Sequence, residues 1–227
     1  MKIAVFIFRR DFRLFDNLGV VETFQLAIDK NYSVLPIFIF SADQGKESTY
    51  FNVKSFRFML ESLANLKKDC PALKFFKLTS EQSDSDILDK INANHSVGLV
   101  GFNADVTPYA IRRDRSIKAW CATQGIHCST QDDYTFHSLS KVRNLQGNPY
   151  QVFTPFKKMA QGFTVEEPKA SPENVVYFKS KIECELSDDD IEELCPPDKT
   201  ADSVLLHGSR KKALEILQTV RDGKFKK

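Results

Sequence analysis

The amino-acid sequence predicts an α/β fold: a doubly wound parallel sheet of five strands, followed by a long connector and one C-terminal helix. Residues 1–130 alternate short apolar runs with helical patterns. The runs are continuously apolar, as in strands that are buried on both faces of a parallel sheet. After Asp133, proline, glycine and acidic residues interrupt the chain repeatedly. Strand–helix alternation places helices on both faces of such a sheet.

Five apolar runs predict the strands. They span residues 3–8, 34–40, 73–78, 97–102 and, with the lowest apolar content, 126–129.

Apolar residues at three- and four-residue spacing predict the helices between later strands. Thr107 and Pro108 supply an N-cap and a first-turn proline for a helix that runs to about Thr123 and ends at Gly125. Two earlier helix faces are formed by Val53, Phe56, Met59, Leu60, Leu63 and Leu66, and by Ile87, Leu88 and Ile91.

The chain after residue 132 is predicted to be a connector over residues 133–207, part packed and part loop. Its acidic run, residues 188–193, indicates a solvated helix face. A further helix begins at Ser209 and stops at Gly223, with an apolar stripe that needs something to cover it. The predicted domain boundaries are therefore residues 1–132, 133–207 and 208–227.

Composition excludes several classes of protein. The 227 residues carry 32 Lys+Arg against 30 Asp+Glu, a balance that argues neither for nor against a nucleic-acid partner. The five cysteines are scattered, without metal-ligand spacing, which favours reduced thiols and no metal site. No apolar run has the length of a membrane span, and the N-terminus does not resemble a signal peptide. We expect a soluble, intracellular protein, cytoplasmic or nuclear, with no membrane partner.

Common nucleotide and hydrolase motifs are absent from the sequence. The first predicted strand is followed by Arg9-Arg10-Asp11-Phe12-Arg13 instead of a G-x-G-x-x-G loop. Neither a G-x-x-x-x-G-K-[ST] loop nor a G-x-S-x-G elbow occurs. These absences exclude a dehydrogenase that binds NAD at a glycine-rich loop, a P-loop NTPase and an α/β-hydrolase.

Three segments are candidates for function, and each has a structural alternative. Residues 9–17 hold three arginines and two aspartates at the carboxyl end of the first strand, where open α/β sheets bind ligands. They can form an ion-pair network or grip an anionic or heteroaromatic ligand. Residues 103–114 reach the same edge, as a helix cap or as part of a site. Residues 147–158 form a rigid apolar segment that covers the sheet edge or docks another domain.

In order and spacing over about residues 1–160, these segments resemble the photolyase/cryptochrome family. The matching stretches are Phe8-Arg9-Arg10-Asp11-Phe12-Arg13-Leu14-x-Asp16-Asn17, Phe58-Met59-Leu60-Glu61-Ser62-Leu63, Asn103-x-Asp105-x-Thr107-Pro108-Tyr109-Ala110-x-x-Arg113-Asp114 and Gly147-x-Pro149-Tyr150-x-Val152-Phe153-Thr154-Pro155-Phe156. Gly208 and the helix after it resemble the opening of the family's helical domain.

The resemblance implies a flavodoxin-like, Rossmann-like domain that carries an antenna chromophore. In the family, this antenna passes excitation energy to FAD in a C-terminal helical domain, which repairs pyrimidine dimers in DNA or drives signalling. The FAD site, the catalytic residues and the DNA contacts belong to that domain, so we expect neither FAD nor catalysis in this chain alone. Residues 208–227 would be the start of a truncated helical domain.

Carried over to this sequence, the antenna site comprises Arg9, Phe38, Asp105 and Thr107. The chromophore would be a deazaflavin or a reduced folate, or the cleft would be empty. Tyr109 and Ala110 stand where folate-binding members have an Asn-Glu pair. Thr107 stands where deazaflavin binders often have Glu.

The functional hypothesis is an N-terminal light-harvesting and docking domain of a deoxyribodipyrimidine photolyase type protein, needing a helical FAD domain in cis or in trans. The alternative is a cryptochrome-like or degenerate binding and regulatory module that kept the fold without repair activity. A third hypothesis is direct DNA binding by the basic C-terminal residues.

Overall fold

The computed structural model describes residues 2–44, 51–138, 140–194 and 206–223. Its sheet has five parallel strands in the order β3-β2-β1-β4-β5. The five predicted strands are therefore confirmed, with ends that differ by at most two residues. The strands are β1 (Ile3–Phe8), β2 (Ser33–Phe40), β3 (Lys74–Lys77), β4 (Val97–Asn103) and β5 (His127–Gln131).

The described residues also form seven α-helices, and the doubly wound arrangement is confirmed. The first two helices pack on one face of the sheet and the next two on the other. The helices are α1 (Leu18–Asp29), α2 (Val53–Asp69), α3 (Asp84–Asn94), α4 (Pro108–Gln124), α5 (Phe153–Ala160), α6 (Asp188–Glu193) and α7 (Arg210–Arg221).

Helix α1 is an element that the sequence analysis did not predict. The Asn17 side chain caps it by accepting a hydrogen bond from the Val20 backbone N–H. Val20, Phe24 and Ala27 recur at four- and three-residue spacing, and all three are buried. The cap and this spacing were the available signals for the helix.

Phenylalanine fills much of the core, which explains its abundance. Every residue of β1 and β2 is buried, as expected for central strands covered on both faces. Phe6 meets Phe8 edge-on at 4.9 Å between ring centroids and Phe24 at 6.0 Å. Such edge-to-face pairs add about 1 kcal/mol each beyond the area they bury.

The connector contains two short helices, α5 and α6, ahead of the predicted C-terminal helix. The segment 147–158 includes α5, because Pro155 falls in the first turn of this helix, where a missing N–H costs nothing. The acidic run forms α6 and is exposed, which confirms a solvated helix face. Ser187 and Asp190 close α6 with a capping box.

Gly208 fastens the start of α7 to α2. Its backbone N–H donates to Glu61 Oε2 at 2.8 Å, and Asn65 Nδ2 donates to its carbonyl at 2.9 Å. A Cβ at this position would collide with the Phe58 carbonyl oxygen, so the close approach requires glycine. The predicted helix start at Ser209 is confirmed: its side chain accepts from the Lys212 N–H.

The predictions for the five cysteines and for the basic C-terminal residues lie partly outside the described residues. Cys195 and the last basic residues, 224–227, are not described. The proposed domain boundaries remain a prediction. Among the residues that are described, no helix combines the length and the apolar character needed to cross a membrane.

Gly101 in β4 should be intolerant of substitution. A Cβ there would overlap the side chain of buried Thr23 on α1. We expect Gly101→Ala to lower the free energy of unfolding by about 2 kcal/mol, because α1 would have to move off the sheet. Gly162→Ala is the control, since its nearest neighbour is the Met159 carbonyl at 3.3 Å. Equal midpoints of the two variants in urea would contradict this expectation.

Candidate functional site

The ends of β1 and β4 form the centre of the site. These strands are neighbours in the sheet, and the strand order reverses between them. Residues 9–17 and 103–114 therefore meet at the carboxyl edge, as predicted. In open α/β sheets, this reversal leaves a crevice where ligands bind.

Arg9 is buried at this edge, and its guanidinium is held by two carboxylates. Nη1 lies 2.7 Å from Asp84 Oδ1, and Nη2 lies 3.8 Å from Asp114 Oδ1. The Arg9 side chain is 8% exposed, and its guanidinium carbon lies 5.5 Å from the centroid of the Phe102 ring. Its Nε and Nη2 have no hydrogen-bond partner among the described residues.

The two carboxylates come from different helices on one face of the sheet. Asp84 is the first residue of α3, and Asp114 lies in the second turn of α4. Asp114 also accepts a hydrogen bond from Arg113 Nε at 3.0 Å. Arg9 therefore fastens the end of β1 to α3 and α4, as the ion-pair alternative for this segment predicts.

A second buried network joins Asp11, Asn17 and Asn103. Asn17 Nδ2 donates to Asp11 Oδ2 at 3.0 Å, and Asn103 Nδ2 donates to the same oxygen and to Asn17 Oδ1. The Arg9 backbone N–H donates to Asp11 Oδ1 at 2.9 Å. All three side chains are almost completely buried. These hydrogen bonds fix the path of the loop between β1 and α1.

Asp133, which follows β5, completes the edge beside this network. Its Oδ2 lies 2.7 Å from Arg13 Nη2, and its Oδ1 accepts from the Leu18 N–H at 3.2 Å. Burial raises the pKa of the Asp133 carboxyl above its ordinary value, against the opposing effects of the Leu18 N–H and of Arg13.

Asp105 and Thr107 organise the start of α4. Asp105 Oδ1 accepts from the Val106 and Thr107 backbone N–H groups at 2.6 and 3.2 Å and lies 3.1 Å from Arg10 Nη2. Thr107 caps the helix by accepting from the Ala110 N–H. The capping alternative is therefore confirmed for Thr107, whereas Asp105 binds the two backbone N–H groups ahead of the helix.

Arg10 continues this edge towards solvent. Its guanidinium carbon lies 4.6 Å from the centroid of the Tyr134 ring. Burial raises the pKa of Tyr134 to about 12, and the Tyr134 hydroxyl has no hydrogen-bond partner in the described part of the chain.

Phe38 lies apart from the other predicted site residues. It is buried on the face of the sheet that α1 and α2 cover, whereas Arg9 pairs with α3 and α4. Its ring packs edge-on against Phe12 at 5.6 Å and Phe40 at 4.9 Å. Phe38 therefore contacts the loop at the carboxyl edge only by packing against Phe12, among the ring contacts described.

The structure brings three of the four predicted residues together. The Asp105 N–H lies 3.4 Å from Asp114 Oδ2, which joins Asp105 and Thr107 to the Arg9 cluster. Arg9 and Phe38 are both buried against other groups of the protein. Their part in antenna binding stays a prediction.

Two open clefts lie away from the predicted antenna residues. One, of about 520 Å³, lies at the ends of β2 and β3 against Phe56 and Leu194; the other, of about 540 Å³, lies between Asp69 and α7. Neither is lined by a predicted antenna residue.

Asp84, Asp133 and Tyr134 are parts of this edge that the sequence analysis did not single out. Asp133 lies two residues after the last strand, as Asn103 ends the fourth, and this position was a usable signal. Asp84 carried no such signal, because it lies at the start of a helix that approaches the edge only in the folded chain.

The raised pKa of Asp133 predicts a pH-dependent contribution to stability. A carboxyl whose folded pKa exceeds its unfolded value stabilises the fold below the unfolded pKa, here 3.8, and that contribution is lost as pH rises through the folded pKa. We expect the unfolding free energy of the wild type, relative to that of Asp133→Asn, to fall as pH rises from 3.8 through the folded pKa. Urea titrations across the acid range measure it. A difference that rises with pH there would contradict the prediction.

The comparisons with known proteins agree with this geometry. A sequence model described as DNA photolyase matches residues 4–173. An uncharacterized 31.6 kDa protein of Synechococcus sp. (strain PCC 6716) is 30% identical over 172 residues, covering 75% of this chain and 57% of that protein. A deoxyribodipyrimidine photo-lyase of Synechococcus sp. (strain ATCC 27144) is 27% identical over 173 residues, covering 76% of this chain and 34% of that enzyme.

Solved structures show the same fold. The chain aligns with a class III photolyase of Agrobacterium tumefaciens at a TM-score of 0.77 and 20% identity, covering 98% of this chain and 45% of that one. An archaeal photolyase from Sulfolobus tokodaii, solved with two FAD molecules, aligns at 0.73 and 24% identity over 94% of this chain and 45% of its own. The chain spans about half the length of these proteins or less. It belongs to the DNA photolyase family and has the α/β fold of that family's N-terminal domain.

Proposed function

We propose that this chain is the light-harvesting and docking domain of a photolyase-like protein, and that it acts through a helical FAD-binding domain in cis or in trans. On this proposal the chain alone neither binds FAD at a repair site nor repairs DNA, and it meets DNA only through its partner domain. Family membership supports the proposal.

The observation that carries the docking role is the apolar surface of the connector helix α5. Val152 and Phe153 are 61% and 71% exposed, and Phe136 and Met159 are also exposed. The described residues leave these side chains in solvent, although single domains rarely expose several large apolar groups close together in the chain. On α7, Leu214, Leu217 and Val220 form a second exposed stripe. A helical partner domain would cover such surfaces.

The light-harvesting role rests on the carboxyl edge. Arg10, Val106 and Tyr109 are exposed there, and a guanidinium and an aromatic ring suit a planar heteroaromatic ligand. The candidate chromophores are a deazaflavin, a reduced folate and a flavin. The flavin is included because the Sulfolobus tokodaii photolyase was solved with two FAD molecules, which imply a novel light-harvesting cofactor. Such a group would supply light absorption, with Asp105 and Thr107 shaping its pocket through the cap of α4.

Reconstitution tests the need for a partner. The chain is mixed with a separately expressed FAD-binding domain of a photolyase, and repair of a dimer-containing oligonucleotide is followed under blue light. We expect repair by the mixture to exceed that by the FAD domain alone. Repair by the 227-residue chain alone, or no complex and no gain in the mixture, would overturn the proposal.

Phe153→Asp tests the docking surface directly. A charge at this exposed position should weaken the complex at least about tenfold, because a buried unpaired carboxylate costs more than 1.4 kcal/mol. Val176→Asp is the matched control: Val176 is 58% exposed and lies beside the amino end of β2, away from α5. Titration calorimetry measures both. Equal affinities would remove α5 from the interface.

One observation favours the alternative of a binding or regulatory module without photochemistry. The Arg9 guanidinium is occupied by Asp84 and Asp114, so the edge can serve a purely structural role. The absorption spectrum of freshly purified protein discriminates. A near-ultraviolet or blue band supports the antenna role, whereas a protein that lacks one even after incubation with deazaflavin, folate and flavin supports the alternative.

A further inference from the structure

Arg10 covers the ring of Tyr134 at the carboxyl edge of the sheet. Its guanidinium carbon lies 4.6 Å from the ring centroid, and its Nη2 lies 3.1 Å from Asp105 Oδ1. The Arg10 side chain is 59% exposed, whereas Tyr134 is half-buried. A molecule that approaches the ring face covered by Arg10 therefore meets the guanidinium first.

The Tyr134 hydroxyl is a buried donor without an acceptor. Its oxygen is shielded from solvent, and no hydrogen-bond partner for it lies in the described part of the chain. Burial raises the pKa of Tyr134 to about 12, against the opposing effect of the Arg10 cation, so the hydroxyl keeps its proton at neutral pH. An unpaired buried donor destabilises the protein, and a ligand that supplies an acceptor removes this cost.

The contacts that hold Arg10 over the ring are weak. A cation–π contact and an ion pair of an exposed side chain each favour the closed position by about fivefold at most. Asp105 does not need Arg10 to keep its place, because its Oδ1 also accepts from the Val106 and Thr107 N–H groups. Arg10 can therefore leave the ring while the start of α4 stays as it is.

We propose that Arg10 is a gate over Tyr134, and that the ring of Tyr134 is the platform on which a planar heteroaromatic ligand stacks once Arg10 has moved aside. The Tyr134 hydroxyl then donates to an oxygen on the side chain of that ligand. This inference rests on the proposed light-harvesting role, since it names the contact surface for a chromophore at the same edge. Neither residue is among the four predicted antenna residues.

A gate and a direct ligand contact make opposite predictions for Arg10. When only a fraction of the molecules is open, the apparent affinity is the intrinsic affinity multiplied by that fraction. Removing the gate raises the open fraction and tightens binding. Removing an arginine that itself stacks on the ligand loses a contact and weakens binding.

Riboflavin is the probe for the full chain. It has a planar heteroaromatic ring and a hydroxylated side chain, and it lacks the phosphate that would attract an arginine by charge alone. The anisotropy of riboflavin fluorescence is followed as protein is added, for the wild type, Arg10→Gln, Tyr134→Phe and Tyr134→Leu. The matched controls are Arg112→Gln, at an exposed position of α4, and Tyr32→Phe, beside the amino end of β2.

We expect Arg10→Gln to bind riboflavin about three- to tenfold more tightly than the wild type. Tyr134→Phe keeps the ring and should bind about fivefold more weakly, because one hydrogen bond is lost. Tyr134→Leu should bind more weakly still, and both controls should match the wild type. Weaker binding by Arg10→Gln would overturn the gate, as would unchanged affinity in the Tyr134 variants or the absence of binding by both the wild type and Arg10→Gln.

The same variants separate this inference from the proposed function. If riboflavin binds with the expected changes but no excitation energy reaches the partner domain, the gate is supported and the light-harvesting role is overturned. If the purified protein carries a chromophore and Tyr134→Leu carries the same amount, the gate is overturned and the light-harvesting role is supported.

Discussion

Replacing Arg9 with methionine should lower the free energy of unfolding by about 3–5 kcal/mol, because it leaves buried Asp84 without its cation and leaves Asp114 with Arg113 alone. Asp84 and Asp114 are 5% and 6% exposed, so water cannot replace the guanidinium. Methionine keeps much of the length of the side chain and its contact with Phe102, which isolates the loss of charge. Chemical denaturation followed by circular dichroism measures the change.

Two controls separate this effect from a general loss of arginine. Arg112→Met removes an exposed arginine from α4 and should change stability by less than about 0.5 kcal/mol. The double variant Arg9→Met/Asp84→Asn should cost less than the sum of its single changes, because they share one interaction. Additive losses would mean that Arg9 stabilises the protein by packing alone.

Asn103→Leu should cost about 3 kcal/mol, since it removes the donor that Asp11 and Asn17 share inside the protein. Leucine has nearly the same shape, so the loss reflects unsatisfied polar groups rather than a cavity. Asn94→Leu, at the exposed end of α3, is the matched control and should be close to neutral. The prediction fails if the two leucine variants unfold at the same denaturant concentration.

The sheet was predictable because its strands carry their own signal. A continuous apolar run such as residues 3–8 is compatible with little else than a strand buried on both faces. The helix α4 was predictable for a similar reason, since Thr107, Pro108 and Gly125 define its ends locally. Helix α5 was not, because Pro149 ahead of it and Pro155 within it indicate a broken chain until Pro155 is placed in the first helical turn.

The carboxyl edge was predictable as a location but not as a set of bonds. Parallel strands bring Arg9 and Asp105 to one edge whatever their side chains do. The ion pairs at this edge depend on distant segments: Asp84 on α3 pairs with Arg9, and Asp133, after β5, pairs with Arg13. A sequence pattern cannot show that Arg9 is neutralised from another helix, nor that Phe38 points to the opposite face from the Arg9 cluster.

The two hydrogen bonds between Gly208 and α2 attach the first turn of α7 to the α/β domain. Glu61 and Asn65 hold the backbone at the root of α7, and Arg210 lies 5.8 Å from the centroid of the Phe15 ring. The twelve residues of α7 extend about 18 Å from this attachment. The orientation of α7 relative to α2 therefore depends on the two hydrogen bonds of Gly208, and Gly208→Ala would weaken them.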